Sequence, residues 1–216
     1  MIIAIDGPAA AGKGTLAKAI SKHLNFAYLE TGLLYRAIGK KVLNEGKTQN
    51  KTALAESIAK NFQFEDIQTD GLQSEKVGQM ASKISAIPNV RKSLLNFQRE
   101  FAYNPPHGKS GAVLDGRDIG TVVCPRAQIK IFITASAEVR AKRRLKELQK
   151  QDPGVMYDNI LKDLIERDAR DQERAIAPLE PASDGTVLET SALNKGQVLE
   201  LALKIISSKG YFKMAT

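Results

Sequence analysis

A glycine-rich segment near the start of the chain has the residue types and spacing of a phosphate-binding loop. Gly7 to Thr15 lies between an apolar run, Ile2 to Ile5, and a helical pattern that begins at Leu16. A turn between a strand and a helix N-terminus directs unpaired backbone N–H groups and the positive end of the helix dipole at one point. The ligand that suits this arrangement is a polyphosphate, and Lys13 is placed to reach its β- and γ-phosphates.

The segment departs from the pattern G-x-x-x-x-G-K-[ST] at one position. Gly14 follows Lys13, and the hydroxyl comes one residue later at Thr15, a form typical of nucleoside monophosphate kinases. A chance glycine-rich helix entry is the alternative, but the strand before and the helix after are the context that the motif requires. We therefore expect the loop to bind ATP or GTP through Gly7, Pro8, Ala9, Ala10, Ala11, Gly12, Lys13, Gly14 and Thr15.

A second apolar strand ends in a carboxylate. Ala112 to Leu114 leads into Asp115, which is the pattern of a Walker B strand. Its expected ligand is Mg²⁺, bound directly or through water, with Thr15 as the hydroxyl ligand. An aspartate that only caps the next turn is the alternative. Arg117 and Asp118 follow at once: the guanidinium could bind a phosphate through two N–H groups, and the carboxylate could accept from an exocyclic amine.

The start of the second predicted helix carries another candidate anion site. Thr31 precedes the helix, and Arg36 lies one turn further along it. Thr31 can cap the helix, or its hydroxyl and the nearby backbone N–H groups can face an anion that Arg36 clamps. Its place just past a strand favours the second interpretation, because ligands of parallel sheets bind beyond the carboxyl ends of the strands.

A charged helix late in the chain carries Arg167, Arg170, Asp171 and Arg174 on one face, at spacings i, i+3, i+4 and i+7. The plain interpretation is an exposed face with ion pairs, since carboxylates lie four residues from Arg167 on either side. The helix also follows Asp152-Pro153-Gly154 in the manner of a lid arm, which favours a role in binding.

Strand and helix patterns alternate along the chain. Strands are predicted at 2–6, 26–30, 112–114, 129–134 and 186–188, and helices at 14–24, 33–43 (ending near Gly46), 52–60, 74–87, 90–103, 138–149, 157–174 and 195–208. Phe62 to Ile67 alternates apolar and polar residues and predicts an exposed strand, with a turn at Asp70-Gly71. Strands separated by helices predict an α/β fold with a parallel sheet, right-handed crossovers and helices on both faces.

Length and composition are ordinary for a globular protein. The 216 residues fit one domain spanning 1–216, with 43% apolar and 26% charged residues. Apolar runs are too short to span a bilayer, and the N-terminus lacks a secretory signal pattern. Cys124 is the only cysteine, which excludes an internal disulfide and favours a reducing cytoplasm. We expect a cytoplasmic monomer that binds no membrane.

The chain is basic, with 32 Lys and Arg against 24 Asp and Glu and a net charge of +8. Nucleic-acid binding and a nucleotide-phosphate site are both consistent with this excess. The positive charges are not gathered in a tail or an aromatic patch, and several arginines fall inside the motifs above. A small-molecule phosphate site without nucleic acid is therefore favoured. A nucleotide-dependent switch is less suited, because its arginine sites would have no acceptor phosphate to bind.

Taken together, these motifs resemble those of bacterial cytidylate kinases, the CMP/dCMP kinases, which are P-loop nucleoside monophosphate kinases. The resemblance covers almost the whole chain. It rests on Ile5-Asp6-Gly7-Pro8, Gly12-Lys13-Gly14-Thr15, Thr31-Gly32, Tyr35-Arg36, Asp115-Gly116-Arg117-Asp118-Ile119-Gly120-Thr121-Val122-Val123, Lys130-Ile131-Phe132, Arg167-Asp168, Arg170-Asp171 and Arg174-Ala175.

The resemblance implies an adenylate-kinase-like P-loop fold. The implied reaction moves the γ-phosphoryl group of ATP to CMP or dCMP with the help of Mg²⁺, and yields ADP and CDP or dCDP. A kinase of the same fold acting on UMP or another small acceptor is the alternative. The resemblance also implies an insert on the acceptor side, about 58–88, and a lid, about 146–158. This chain departs from the family pattern in having Glu30 where an aspartate is usual, and a shorter segment over 61–85.

The resemblance also implies roles for individual residues. The acceptor phosphate would be held by Thr31, Arg36, Arg117 and Arg174, the cytosine edge by Ser82, Arg91 and Asp118, and the ribose by Arg167 and Asp171. The catalytic residues would be Lys13, Arg117, Arg143 and Arg174. Arg143, on the helix leading to the lid, is the candidate for contacting the transferring phosphoryl group, with Arg140 and Arg144 as alternatives.

Overall fold

The protein, described here by a computed structural model over residues 1–45, 50–150 and 152–210, contains a five-stranded parallel sheet. The strands are β1 (Ile2–Asp6), β2 (Ala27–Glu30), β3 (Ala112–Gly116), β4 (Ile129–Thr134) and β5 (Thr186–Glu189), in the order β2-β3-β1-β4-β5. The helices are α1 (Lys13–Leu24), α2 (Gly32–Asn44), α3 (Lys51–Lys60), α4 (Glu75–Ile84), α5 (Pro88–Tyr103), α6 (Ala137–Leu148), α7 (Tyr157–Glu173) and α8 (Lys195–Ser208). The predicted α/β fold is confirmed.

Apolar side chains on both faces of the sheet account for this layering. Helices α1 and α8 cover one face, where Ile5, Ile20 and Ile206 belong to one buried cluster. Helix α5 covers the other face beside Leu114. A third cluster joins α2, α3, α4 and α5 around Leu34. Of the helices described, none is long and apolar enough to cross a membrane.

The strand register brings carboxylates together at one edge of the sheet. Asp115 of β3 lies opposite Glu30 of β2 on one side and opposite Ile5 of β1 on the other. Asp6 ends β1, and its two carboxylate oxygens accept the N–H groups of Ile119 at 2.8 Å and Gly120 at 2.7 Å. These bonds hold a single π-helical turn, Ile119–Val123, and so fix the loop that follows β3.

The predicted exposed strand at 62–67 is wrong. A 3₁₀ helix, Phe64–Gln68, occupies this segment and is capped reciprocally by Gln63 and Asp66. The rings of Phe62 and Phe64 lie 5.8 and 6.1 Å from the ring of Phe97 on α5. Because the segment packs on helices, none of the strands in the described ranges pairs with its backbone, and local turns satisfy its polar groups instead.

Other boundaries differ by a few residues. The predicted helix at 74–87 ends at Ile84, and α5 begins at Pro88, because proline suits the first turn of a helix and lacks the N–H that an interior position needs. The predicted turn at Asp70-Gly71 is confirmed, with φ of +73° at Gly71. The predicted helix end near Gly46 lies outside the described residues.

Candidate active site

Two adjoining cavities lie at the carboxyl edge of the sheet. The larger is a cleft of about 1210 Å³, lined by the loop 9–15, by parts of α6 and by the start of α8. The smaller, about 50 Å³, lies between α2, α4, α7 and the loop after β3. Arg117 and Arg167 line both cavities, so ligands in the two would meet at these guanidinium groups.

The glycine-rich loop has the backbone that its sequence predicts. Gly7 has φ of +148°, and a Cβ there would lie 2.0 Å from the carbonyl oxygen of Ile133, so only glycine fits against β4. Gly12 has φ of +97° and precedes the first turn of α1. The loop curls around Lys13, whose ammonium is buried and donates to the carbonyl of Pro8 at 2.7 Å. The loop thus joins β1 to the N-terminus of α1 as a phosphate site requires.

Several positively charged side chains lie close together in the larger cleft. The pKa of Lys13 lies well below its usual value because of burial and the nearby Arg117 and Arg167 guanidinium groups, although Asp115 opposes this shift. Burial and Arg117 lower the pKa of Arg167 to about 10, and burial and Arg144 lower the pKa of Arg36. Such mutual repulsion is relieved when an anion enters, so the cleft is electrostatically suited to phosphates.

Asp115 lies against the loop with a polar atom left unpaired. Its Oδ1 is buried and has no hydrogen-bond partner within the described ranges. Burial, with Glu30 next in effect, raises the pKa of Asp115 to about 7. A Cβ on Gly14 would lie 3.4 Å from Asp115 Oδ2 and 3.6 Å from the Tyr28 hydroxyl, so these groups border the glycine-rich loop directly. Asp115 is therefore free to bind a further partner beside the loop.

Asp118 is held between two guanidinium groups in the smaller cavity. Arg91 Nη2 bonds to its Oδ2, and Arg174 Nη2 lies 3.4 Å from its Oδ1. Arg91 also donates to the carbonyl of Ser85 at 3.2 Å, and its guanidinium lies 5.9 Å from the ring centre of Tyr35. A buried carboxylate fixed in this way can accept a hydrogen bond from a ligand in the cavity.

Asp171 forms a second buried group beside it. The carboxylate accepts from Arg117 Nε at 2.8 Å and from the Ser82 hydroxyl at 3.2 Å. Burial tends to raise the pKa of Asp171, but Arg117 and Arg167 outweigh it and hold the pKa below its usual value. Asp171 is only 3% exposed, and its ion pair crosses from α7 to the loop after β3. The plain interpretation of this helix as an exposed charged face therefore fails at Asp171.

Thr31 lines the smaller cavity, whereas Arg36 lines the larger cleft. The Thr31 hydroxyl does not cap α2 and donates to the carbonyl of Asp115 at 2.7 Å. Arg36 donates to the carbonyl of Leu72 at 2.7 Å and lines the larger cleft. The smaller cavity thus brings together most of the predicted acceptor residues, which are Thr31, Ser82, Arg91, Arg117, Asp118, Arg167, Asp171 and Arg174.

The arginines of α6 face different neighbours. Arg143 lines the cleft, and its guanidinium donates to the Ala11 carbonyl at 3.3 Å and to the Thr190 carbonyl at 2.6 Å. Arg144 also lines the cleft and reaches across to Glu75 of α4 at 3.2 Å. The assignment of Arg143 to the transferring group stays a prediction.

Two residues near the site have no assigned role in the sequence-based interpretation. Asp6 fixes the loop after β3, and burial raises its pKa to about 6. The sequence signal for Asp6 is its charge, because the other residues of the strand that it ends are all apolar. The hydroxyl of Tyr28 is buried beside Asp115, and burial together with the carboxylates of Asp115 and Glu30 raises its pKa. A tyrosine on a half-buried strand is ordinary, so no sequence signal indicated it.

Comparisons with known proteins agree with this geometry. The family model described as cytidylate kinase matches residues 3–208. A cytidylate kinase of Paramagnetospirillum magneticum is 56% identical over 96% of this chain and 98% of its own length, and one of Rhodospirillum rubrum is 51% identical over 97% and 98%. The solved shikimate kinase of Bacteroides thetaiotaomicron shares the fold, with a TM-score of 0.54 at 14% identity over 98% of this chain and 99% of its own. The chain belongs to the cytidylate kinase family.

Proposed function

We propose that the larger cleft binds ATP along the glycine-rich loop and that the smaller cavity binds CMP or dCMP. The reaction is that of the family: the γ-phosphoryl group of ATP passes to CMP or dCMP, giving ADP and CDP or dCDP. The observation that supports this division is that Arg117 and Arg167 line both cavities. The two phosphates would meet there, so the donor and acceptor oxygens can approach in line.

Catalysis in this arrangement is positioning combined with electrostatic stabilisation. Phosphoryl transfer needs little acid–base chemistry, because charge is spread over the equatorial oxygens of the transferring group. Lys13 and the loop N–H groups hold the donor phosphates. Arg117, Arg174 and Arg143 are the candidates that stabilise the transferring group and the acceptor phosphate. A lid over about 146–158 would exclude water and limit wasteful hydrolysis; Gln151 lies outside the described residues.

The acceptor cavity has groups suited to each part of CMP. Asp118 would accept from the cytosine amine, with Arg91 and Ser82 beside it. The same cavity holds the residues proposed for the ribose, Arg167 and Asp171, and three of those proposed for the phosphate, Thr31, Arg117 and Arg174. Arg36, the fourth residue proposed for the phosphate, lines the larger cleft. At 50 Å³ the cavity is too small for a nucleotide, and Arg91, Arg117 and Arg174 in it are paired with aspartates. CMP entry therefore requires these pairs to open and the insert, about 58–88, to move outward.

Asp115 and Thr15 would hold Mg²⁺, which would neutralise charge on the phosphates. The unpaired Oδ1 of Asp115 and the exposed Thr15, which line the same cleft, fit such an ion. Within the described residues, no group of three or more His, Cys, Asp and Glu side chains could hold a metal. A site with one carboxylate suits Mg²⁺, which in nucleotide enzymes takes its other ligands from phosphates and water.

We also propose that the enzyme works as a cytoplasmic monomer and binds neither membrane nor nucleic acid. The single cysteine agrees with a reducing compartment. The clustering of its basic groups around the cleft agrees with a small phosphate ligand.

Replacement of Lys13 tests the site assignment. In Lys13→Ala we expect kcat to fall at least about a hundredfold, or about 2.7 kcal/mol, because the ammonium stabilises charge that peaks in the transition state. Lys22→Ala is the matched control, since Lys22 is exposed on the same helix. ADP release coupled to CMP is the measurement. Near-normal turnover in a folded Lys13→Ala would refute the assignment.

A further inference from the structure

Arg140 lies behind the glycine-rich loop and bonds three parts of the chain. Its Nε donates to the Ala135 carbonyl at 2.9 Å, its Nη1 to the Ala9 carbonyl at 3.2 Å, and its Nη2 pairs with Asp168 Oδ2 at 2.7 Å. Arg140 is 5% exposed, and neither it nor Asp168 lines the cleft or the smaller cavity. Of the three arginines considered for the transferring group, Arg140 is therefore the one that cannot reach it in this arrangement.

The bond to Ala9 bears on phosphate binding through the geometry of one peptide. In a trans peptide the C=O and N–H groups point in opposite directions, so fixing the Ala9 carbonyl also fixes the N–H of Ala10. Ala10 has φ of +58°, a left-handed conformation that residues with side chains rarely adopt, and it lines the cleft. Because the Ala9 carbonyl is bonded to Arg140, which lies outside the cleft lining, the Ala10 N–H of the same peptide points away from Arg140.

The pair with Asp168 extends the connection to the acceptor side. Asp168 lies on α7 between Arg167 and Asp171, both of which line the smaller cavity. Helices α6 and α7 also pack together around Leu164 and Ala141, in a cluster that includes Ala9. Through its bond to Ala9 and its pair with Asp168, Arg140 thus connects the loop at the larger cleft with the helix that lines the smaller cavity.

We propose that Arg140 is a positioning residue for the phosphate loop. Through Asp168 it also sets the distance between that loop and α7. This inference rests on the proposed function, in which the loop binds ATP and α7 lines the CMP cavity. The alternative is an ion pair that only stabilises the fold, and buried ion pairs are often weak in that role because of their desolvation.

Arg140→Lys separates these roles, with Lys142→Arg as a reciprocal control on the exposed side of the same helix. A lysine can keep the charge pair with Asp168, but a single ammonium cannot replace a fork that bonds three groups. We expect the dissociation constant for Mg-ATP, measured by calorimetry without CMP, to rise about tenfold. The constant for CMP alone should change less than twofold, and Lys142→Arg should leave both constants unchanged.

Asp168→Asn provides a second test that does not depend on how Arg140→Lys folds. It leaves the Arg140 bond to Ala9 in place but removes the charge that joins the loop to α7. We expect the dissociation constants for ATP and CMP to rise about threefold each, although Asp168 lines neither cavity. Wild-type affinities in folded variants with lowered melting temperatures would overturn the inference. A wild-type protein that does not bind ATP would overturn the proposed function itself.

Discussion

Asp118→Asn is expected to change base preference rather than simply weaken binding. Asp118 is buried in the smaller cavity and held by Arg91 and Arg174. A carboxylate only accepts hydrogen bonds, so it suits the amine of cytosine and opposes the carbonyl that uracil has at the same position. An asparagine amide can turn its NH₂ group toward that carbonyl. The variant should therefore bind CMP less well and UMP better.

The expected change in base preference follows from the energy of hydrogen bonds to charged groups and from the burial of Asp118. Hydrogen bonds to charged groups contribute about 1.5–3 kcal/mol, and a buried group left unpaired costs a similar amount. Asp118 is only 6% exposed, so little of this is lost to solvent. We therefore expect the ratio of kcat/KM for CMP over UMP to fall at least about tenfold, which corresponds to about 1.4 kcal/mol.

The assay is ADP release with each acceptor at saturating ATP. Asp184→Asn is the matched control, since Asp184 is exposed and pairs with Lys130 outside both cavities. It should leave the ratio unchanged. Equal losses of kcat/KM for CMP and UMP in a folded Asp118→Asn would show that Asp118 does not recognise the base. Asp118 would then only hold Arg91 and Arg174.

Two further predictions concern single residues. Arg174→Lys keeps the charge but loses the planar guanidinium, which can donate two hydrogen bonds to a phosphate. KM for CMP should therefore rise about tenfold while KM for ATP stays within about twofold. An unchanged KM for CMP with a small loss in melting temperature would show that Arg174 has only a structural role. Burial raises the pKa of Asp6 from 3.8 to about 6, so the folded state holds this proton more tightly than the unfolded chain. Its contribution to stability is present below about pH 4 and lost as pH rises through about 6. Denaturant unfolding of wild type and Asp6→Asn should show this slope only in wild type, and parallel pH profiles would contradict it.

The fold was largely predictable because its signals are local. Apolar runs such as Ile129 to Thr134 predict buried strands. The spacing of glycines and lysine in the glycine-rich loop is uncommon outside phosphate-binding turns. The prediction of a strand for Phe62 to Ile67 is wrong for a physical reason. Alternation of apolar and polar residues reports that one side is buried, but it does not say whether the covering layer is a sheet or a set of helices.

The candidate site was predictable in its residue types but not in its pairings. Asp171 and Arg117 are 54 positions apart, and Arg140 and Ala9 are 131 apart. Contacts at such distances depend on how helices pack on the sheet, which periodicity does not encode. Arg143 and Arg144 are adjacent in sequence, yet one bonds Thr190 and the other Glu75. Successive residues of a helix point about 100° apart, so periodicity predicts different directions for the two, but the packing of α6 decides which neighbour each one meets.

The most direct test of the account is the choice of acceptor by the wild-type enzyme. Initial rates of ADP release should be measured with Mg-ATP and CMP, dCMP, UMP or AMP as the acceptor. We expect the highest kcat/KM for CMP or dCMP, at least about tenfold above UMP, and almost no ADP without an acceptor. Preference for UMP or AMP, or ADP release that does not depend on an acceptor, would contradict it.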